Sequence, residues 1–167
     1  MAATGILDCL PVAHRLADAE RPIARRYFRS FALGADDKSA PNTGYDPVTL
    51  ADREIERTMR AILATERPDD GILGEEYEAV PSRSGITWVL DPIDGTRAFL
   101  CGLPNWGVLI AVNDGTRPVI GIMDQPFTGE RFTGVMLADH QSATLDTHDG
   151  QNSLSTRAAT LETALMC

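Results

Sequence analysis

The chain has 167 residues, a length that supports one substantial hydrophobic core but not comfortably two. Hydrophobic residues make up 43% of the chain and charged residues 23%, a balance that is typical of globular proteins and argues against general disorder. The formal net charge is −9, from 15 basic and 24 acidic residues, so the average field repels nucleic acid phosphates and anionic membrane surfaces.

Apolar residues recur at helical spacing twice in the first part of the chain. The first pattern predicts a helix from Thr4 to about Phe31. Pro22 lies inside this pattern and predicts a kink or two helices meeting there, because proline removes a backbone donor and clashes with the preceding turn. Pro11 raises the same question nearer the start. A second helix is predicted to begin near Leu50, and the Gly-, Pro- and Asp-rich residues 34–47 predict a mobile loop between the two helices.

The rest of the chain predicts strands separated by turn-rich segments. The predicted strands are Gly71–Gly74, Ile86–Leu90, Trp106–Asn113, Pro118–Met123 and Glu130–Val135. The sequence NDGT at 113–116 predicts a hairpin, because Asp-Gly accepts the positive backbone angles of a tight turn. Helices followed by a mainly antiparallel sheet predict an α+β fold. Near the end, the pattern indicates only a short strand around Leu154 and the start of a helix at Thr160.

The cysteines and the apolar segments indicate in which cellular compartment the protein is found. Cys9, Cys101 and Cys167 are odd in number and lack the short paired spacing of a zinc site, which fits a reducing compartment. Charged residues from Asp8 onward interrupt any secretion signal. Since no apolar stretch approaches the roughly 20 residues that span a bilayer, we expect a cytoplasmic protein that binds neither nucleic acid nor membranes.

The sequence WVLDPIDGTRAF, residues 88–99, places an apolar segment directly before two aspartates. If that segment is a buried strand, Asp91 emerges at its end, where it and Asp94 repel each other unless a cation lies between them. Magnesium prefers oxygen ligands, so two carboxylates and a backbone carbonyl suit it. Gly95 and Thr96 then predict a turn into a short helix, whose free amides could bind an anion such as phosphate.

Two further acidic stretches precede this one. GILGEE ends in Glu75 and Glu76, and DPVTLAD places Asp46, Thr49 and Asp52 at the mouth of the second helix. Taken alone, Asp52 is better explained as a charge in the first helical turn. Taken alone, Glu75 and Glu76 are better explained as solvated loop acids.

Together, the motifs DPVTLAD, GEE and DPIDGT resemble, in order and spacing, those of the inositol monophosphatase family of magnesium-dependent, lithium-sensitive phosphomonoesterases. The stretch WVLDPIDGTRAFLCGLPNWGVLIAV is similar to the histidinol-phosphatase branch, which often has Arg-Ala-Phe after the motif. The resemblance implies N-terminal helices packed on a mainly antiparallel sheet, as in the first half of the sugar-phosphatase αβαβα sandwich. It also implies a homodimer that hydrolyses a small phosphorylated alcohol, with histidinol phosphate favoured and inositol phosphate as the alternative.

The same resemblance implies a set of metal ligands. By matching position, Glu75, Asp91 and the carbonyl of Ile93 would hold a first magnesium ion, while Asp91 and Asp94 would contribute to a second. Relatives bind two or three such ions, and Mn²⁺ is a possible substitute. The two metals would activate a water and stabilise the leaving alkoxide in an in-line displacement.

The remaining site residues are implied in the same way. Glu75 and Thr96 would hold the attacking water, and Asp52 would support Thr96. The amides of Gly95 and Thr96 would contact the phosphate. Lys38 resembles a loop lysine that lies near the family's site.

The chain departs from the family where a second half would begin. Family members carry a Trp-Asp motif there, whereas Trp88 and Trp106 are followed by Val and Gly. We therefore expect a truncated protein, with a metal-binding phosphatase domain over residues 1–155 and the start of a truncated C-terminal domain over 156–167. An incomplete second metal site and an exposed apolar face make a catalytically weak metal- or phosphate-binding module the main alternative to an enzyme. A purely structural interaction protein is a third class.

Overall fold

The structure is a computed structural model that describes residues 3–30, 34, 36–37, 47–156, 158–160 and 163. Within these ranges, helices precede most of the strands, which confirms the α+β prediction. The elements are α1 Ala3–Leu7, α2 Cys9–Tyr27, β1 Asp36–Asp37, β2 Pro47–Val48, α3 Leu50–Glu66, β3 Gly71–Gly74, β4 Thr87–Asp94, α4 Thr96–Leu100, β5 Gly107–Asn113, β6 Pro118–Gln125, β7 Glu130–Met136, β8 Gln141–Thr147 and β9 Gly150–Ser153.

Seven strands form one sheet in the order β3-β4-β5-β6-β7-β8-β9. β3 pairs with β4 in parallel, and each later pair of neighbours is antiparallel, so the predicted mainly antiparallel sheet is confirmed. The hairpin predicted from NDGT connects β5 to β6. Gly115 adopts a φ of 94° there, and its amide donates a hydrogen bond to the Asn113 side chain.

Helices α2 and α3 pack against each other and against strands β4 to β6. The sheet residues facing them are apolar and buried, among them Trp88, Val108, Ile110, Val112 and Ile122. The alternate residues of the same strands, together with Phe132 on β7, line an open groove on the opposite face: Val89, Leu109, Ala111 and Met123. The strands are therefore apolar on both faces, and one apolar face lies open in this structure.

The predicted first helix is divided at a different place from the one expected. Two helices do meet, but at Asp8, whereas α2 continues through Pro22 to Tyr27. Pro11 lies in the first turn of α2, where a missing amide removes no intrahelical hydrogen bond. The helix ends before Phe31, because Phe28 takes an extended ψ of 126° and its ring packs 5.1 Å from Trp106.

Strand bounds and the C-terminal prediction also differ from expectation. β4 begins at Thr87 and runs beyond the predicted end at Leu90, as far as Asp94. Strand β8 was not predicted, and the short strand predicted around Leu154 corresponds to β9, which ends one residue earlier at Ser153. The helix start at Thr160 stays a prediction, because residues 161–162 and 164–167 lie outside the described residues.

Most of the predicted loop at 34–47, with Lys38 and Asp46, lies outside the described residues. Its described ends are not loop, because β1 and β2 pair antiparallel there. Of the cysteines in the described ranges, Cys9 is buried and Cys101 exposed, and both are free thiols. No helix in the described ranges is long and apolar enough to span a membrane.

A buried charge network ties α2 to the sheet. Asp124 on β6 is fully buried and accepts hydrogen bonds from Arg21 Nε at 2.6 Å and Arg131 Nε at 2.5 Å. Burial disfavours its charge, but these guanidinium groups and Glu20 lower the pKa of Asp124. Burial, together with the neighbouring Asp124, raises the pKa of Glu20 well above its usual range. A protonated Glu20 also explains why its two oxygens have no donor among the described residues.

We expect Asp124→Asn to lower the free energy of unfolding at pH 7 by about 3 kcal/mol, because it removes the buried carboxylate that both Arg21 and Arg131 bind. Glu20→Gln should cost less than about 1 kcal/mol, since Glu20 is already neutral and the amide keeps a donor towards Asp124. Urea unfolding of the two variants measures the difference. Equal losses would contradict a neutral Glu20.

Candidate functional site

The parallel pairing of β3 with β4 brings two predicted site residues together. Gly74 on β3 is paired with Leu90 on β4, so the next residues, Glu75 just after β3 and Asp91 within β4, lie side by side. Glu75 contributes both its charge and a side-chain hydrogen bond to the environment of Asp91. The structure therefore places in contact two carboxyls that are 16 residues apart in the sequence.

The DPID motif lies within β4, not after it as the sequence predicted. Asp91 is paired with Leu109 and Asp94 with Gly107, and the register shifts between them. Pro92 lies in this irregular segment, where a proline is tolerated because a regular ladder hydrogen bond is not required. The shift also breaks the strict alternation of side chains, and Asp94 adds to the negative charge that acts on Asp91.

The environment of Asp91 favours a cation. Burial, the largest cause, together with the nearby charges of Glu75, Asp94 and Asp52 raises the pKa of Asp91 to about 7. Its Oδ1 atom is buried, and no donor in the described part of the chain reaches it. Carboxylates and a backbone carbonyl are the donors that magnesium prefers, so the residues present fit this ion.

The side chains do not form a complete ligand cage. Among the described residues, no group of three or more His, Cys, Asp or Glu side chains is close enough to hold a metal ion. Ligation by Glu75, Asp91, Asp94 and the Ile93 carbonyl therefore stays a prediction. Its support is the chemistry of the donors and the unpartnered Oδ1 atom of Asp91.

Gly95 and Thr96 form the predicted turn into a short helix. Gly95 caps α4 with a φ of 86°, and a Cβ at this position would lie 3.1 Å from the carbonyl oxygen of Asn105. Both conditions favour glycine. The hydroxyl of Thr96 donates to the carbonyl of Ile93 at 3.0 Å, so it lies beside one predicted metal ligand.

Asp52 has a structural partner as well as a place near the site. Its carboxylate accepts a hydrogen bond from the Thr49 amide at 2.8 Å, and the Thr49 hydroxyl accepts from the amides of Ala51 and Asp52. This capping box begins α3. Burial raises the pKa of Asp52 to about 6, although hydrogen bonds from Thr49 act in the opposite direction. The described hydrogen bonds of Asp52 and Thr96 go to Thr49 and Ile93, so support of Thr96 by Asp52 stays a prediction.

One residue of the site region was missed by sequence reasoning. Glu56 lies one helical turn after Asp52, and its side chain is fully buried on α3. The available signal was an acidic residue on the apolar stripe of an amphipathic helix, a position where charge is rare unless it is paired.

Comparisons with known proteins agree with the resemblance in the motifs. The model of the inositol monophosphatase family matches residues 8–164. The histidinol-phosphatase of Mycobacterium tuberculosis is 38% identical over 125 residues, covering 75% of this chain and 46% of that protein. The inositol-1-monophosphatase of Mycobacterium bovis is 47% identical over 90 residues, covering 50% of this chain and 30% of that protein.

Solved structures give the same result. An inositol monophosphatase from Zymomonas mobilis superposes with a TM-score of 0.70 at 39% identity, covering 96% of this chain and 56% of that one. This chain thus spans about half the length, or less, of the relatives it matches. The chain belongs to the inositol monophosphatase family.

We expect Asp91→Asn to stabilise the metal-free chain, with a gain that grows between pH 4 and pH 8. Folded Asp91 keeps its proton up to about pH 7, whereas an unfolded aspartate loses it near 3.8. The folded state therefore binds more protons in this window, and rising pH removes stability through this group. Urea unfolding in EDTA should show a gain of about 1 kcal/mol at pH 8.

Asp114→Asn is the matched control. Asp114 lies in the β5–β6 turn, where hydrogen bonds from Thr116 and Arg117 lower its pKa to about 2. A carboxyl whose pKa is lowered by folding stabilises the folded state at pH values above its pKa in the unfolded chain. Asp114→Asn should therefore lose stability at pH 8. A loss with Asp91→Asn as well would contradict the electrostatic penalty assigned to Asp91.

Proposed function

We propose that this member of the inositol monophosphatase family provides the metal- and phosphate-binding part of a magnesium-dependent phosphomonoesterase that acts on histidinol phosphate. The observation that carries the proposal is the contact between Glu75 and Asp91, with one Asp91 oxygen buried and unpartnered. The relative named histidinol-phosphatase, which matches three quarters of the chain, supports the choice of substrate.

The proposed metal ligands are oxygen atoms of one residue just after β3 and of three residues in its neighbour β4. Glu75, Asp91 and the carbonyl of Ile93 would hold a first ion, and Asp91 and Asp94 would contribute to a second. Magnesium, when bound, supplies positive charge that activates water and offsets charge on the phosphoryl group. The chain needs such a positive charge to bind phosphate, because its own net charge of −9 would otherwise repel the anion.

The other site residues would bind and orient. The amides of Gly95 and Thr96, at the start of α4, would contact phosphate oxygens. Glu75 and the hydroxyl of Thr96 would position the attacking water, with Asp52 supporting Thr96. The hydrogen bond from Thr96 to the Ile93 carbonyl supports this arrangement, because it holds the hydroxyl next to a proposed ligand.

Inositol phosphate is the second candidate substrate. The relative named inositol-1-monophosphatase is the more identical of the two described above, at 47%, although over only 90 residues. The homodimer, the cytoplasmic location and the domain boundary between residues 155 and 156 also remain proposals from the sequence.

The test is phosphate release by the purified chain from histidinol phosphate and from inositol 1-phosphate, with Mg²⁺ and with EDTA. We expect Mg²⁺-dependent turnover with a higher kcat/KM for histidinol phosphate. Asp91→Asn should lower kcat/KM more than about 100-fold, because losing a metal ligand should cost more than losing a residue that only hydrogen-bonds a ligand. Asp114→Asn changes a carboxyl in the β5–β6 turn and should leave kcat/KM nearly unchanged.

Each other outcome selects a different function. Turnover of inositol phosphate alone would support the second candidate. Mg²⁺ binding by calorimetry without turnover of either substrate would support the metal- and phosphate-binding module. If the chain bound no Mg²⁺ or Mn²⁺ and Asp91→Asn changed neither binding nor turnover, both metal-dependent functions would be contradicted.

A further inference from the structure

Glu56 is a buried acid that the proposed chemistry does not use. It lies on α3 with 0% of its surface exposed. Burying a carboxylate is costly unless hydrogen bonds and an opposite charge compensate it. The contacts of Glu56 therefore indicate the role of this buried carboxylate.

The carboxylate of Glu56 binds the backbone of the GEE motif. Its Oε2 atom accepts a hydrogen bond from the amide of Glu75 at 3.0 Å and another from the amide of Glu76 at 2.7 Å. The ladder of β3 with β4 ends at Gly74, so these two amides lie just beyond the sheet. A single side-chain oxygen thus fixes the main chain at the point where Glu75 leaves the strand.

Arg60 provides the compensating charge from the same helix. Its Nε atom donates to Oε1 of Glu56 at 2.7 Å, and its side chain also donates to the carbonyl of Tyr77 at 3.1 Å. The segment from Glu75 to Tyr77 is therefore held to α3 at both ends. Because Arg60 pairs with Glu56, the carboxylate can bind two amides without adding an uncompensated charge near Asp91.

Gly74 gives independent evidence that the Glu56 carboxylate lies close to the backbone at the end of β3. A Cβ at this position would overlap Oε1 of Glu56. Gly74 has no positive φ that would itself require glycine. The glycine of the GEE motif is therefore explained by the space that the Glu56 carboxylate occupies.

We propose that Glu56 is a positioning residue that holds the Glu75 main chain so that the Glu75 carboxylate meets Asp91 for metal binding. This inference rests on the proposed function, because it assigns Glu75 to the metal. Glu56 itself contacts the Glu75 and Glu76 amides and acts on the metal only through Glu75.

The test compares Mn²⁺ binding by electron paramagnetic resonance in metal-stripped Glu56→Gln, Gly74→Ala and unsubstituted chain. Glu56→Gln should weaken Mn²⁺ binding by roughly 10- to 100-fold, the usual cost of losing a partner that orients a ligand. Gly74→Ala should weaken it too, although every carboxylate remains, because the methyl group displaces Glu56. The matched control is Glu54→Gln on the same helix, whose exposed pair with Arg26 should change the affinity less than about twofold.

A second measurement separates positioning from loss of the metal site. Without metal, the amides of Glu75 and Glu76 should exchange hydrogen at least about tenfold faster in Glu56→Gln, since a charge-assisted hydrogen bond is lost. Saturating Mg²⁺ should then restore much of kcat in that variant, which a general folding defect would not allow.

The failures are distinguishable. If the unsubstituted chain binds Mn²⁺ and Glu56→Gln binds it equally well, the positioning role is wrong while the proposed function stands. If the unsubstituted chain binds no Mn²⁺, the proposed function is wrong. The amide exchange then decides whether Glu56 fixes the GEE segment, and unchanged exchange would overturn that part as well.

Discussion

The parallel register of β3 with β4 is the constraint on which the site depends. It aligns Gly74 with Leu90, and the next residue on each strand is acidic. The two carboxyls meet because of this backbone pairing. When both are ionised, the sheet and the helices packed on it oppose their electrostatic repulsion, and this repulsion favours a cation between them.

Two carboxyl pairs in this molecule show how the same repulsion can be met in different ways. Glu20 and Asp124 lie beside Arg21 and Arg131, so the protein supplies its own cations and the pair is structural. The groups that raise the pKa of Asp91 are instead all acidic. Burial disfavours the charged form of both Asp124 and Asp91. The sign of the neighbouring charges therefore distinguishes the structural carboxyl pair from the candidate site.

The sequence predicts what depends on neighbouring residues. The NDGT hairpin follows from the backbone preferences of Asp-Gly, and the order and spacing of the GEE and DPIDGT motifs predict which carboxylates form the proposed site. The extension of β4 through Pro92 was not predictable, because proline normally ends a strand unless a register shift accommodates it. Strand β8 was not predicted, because it lacks buried apolar alternation and depends on its pairing with β7. Glu56 was missed because its partners lie 19 and 20 residues away.

The network around Asp124 also bears on how long a folded molecule persists. Arg21 and Asp124 are 103 positions apart in the chain, so their ion pair closes a long loop and pays its entropy cost only when helix and sheet are already assembled. We expect contacts of this kind to form late, after the folding barrier, and to separate early in unfolding. Weakening this network should then accelerate unfolding more than it slows folding, and so shorten the lifetime of the native state.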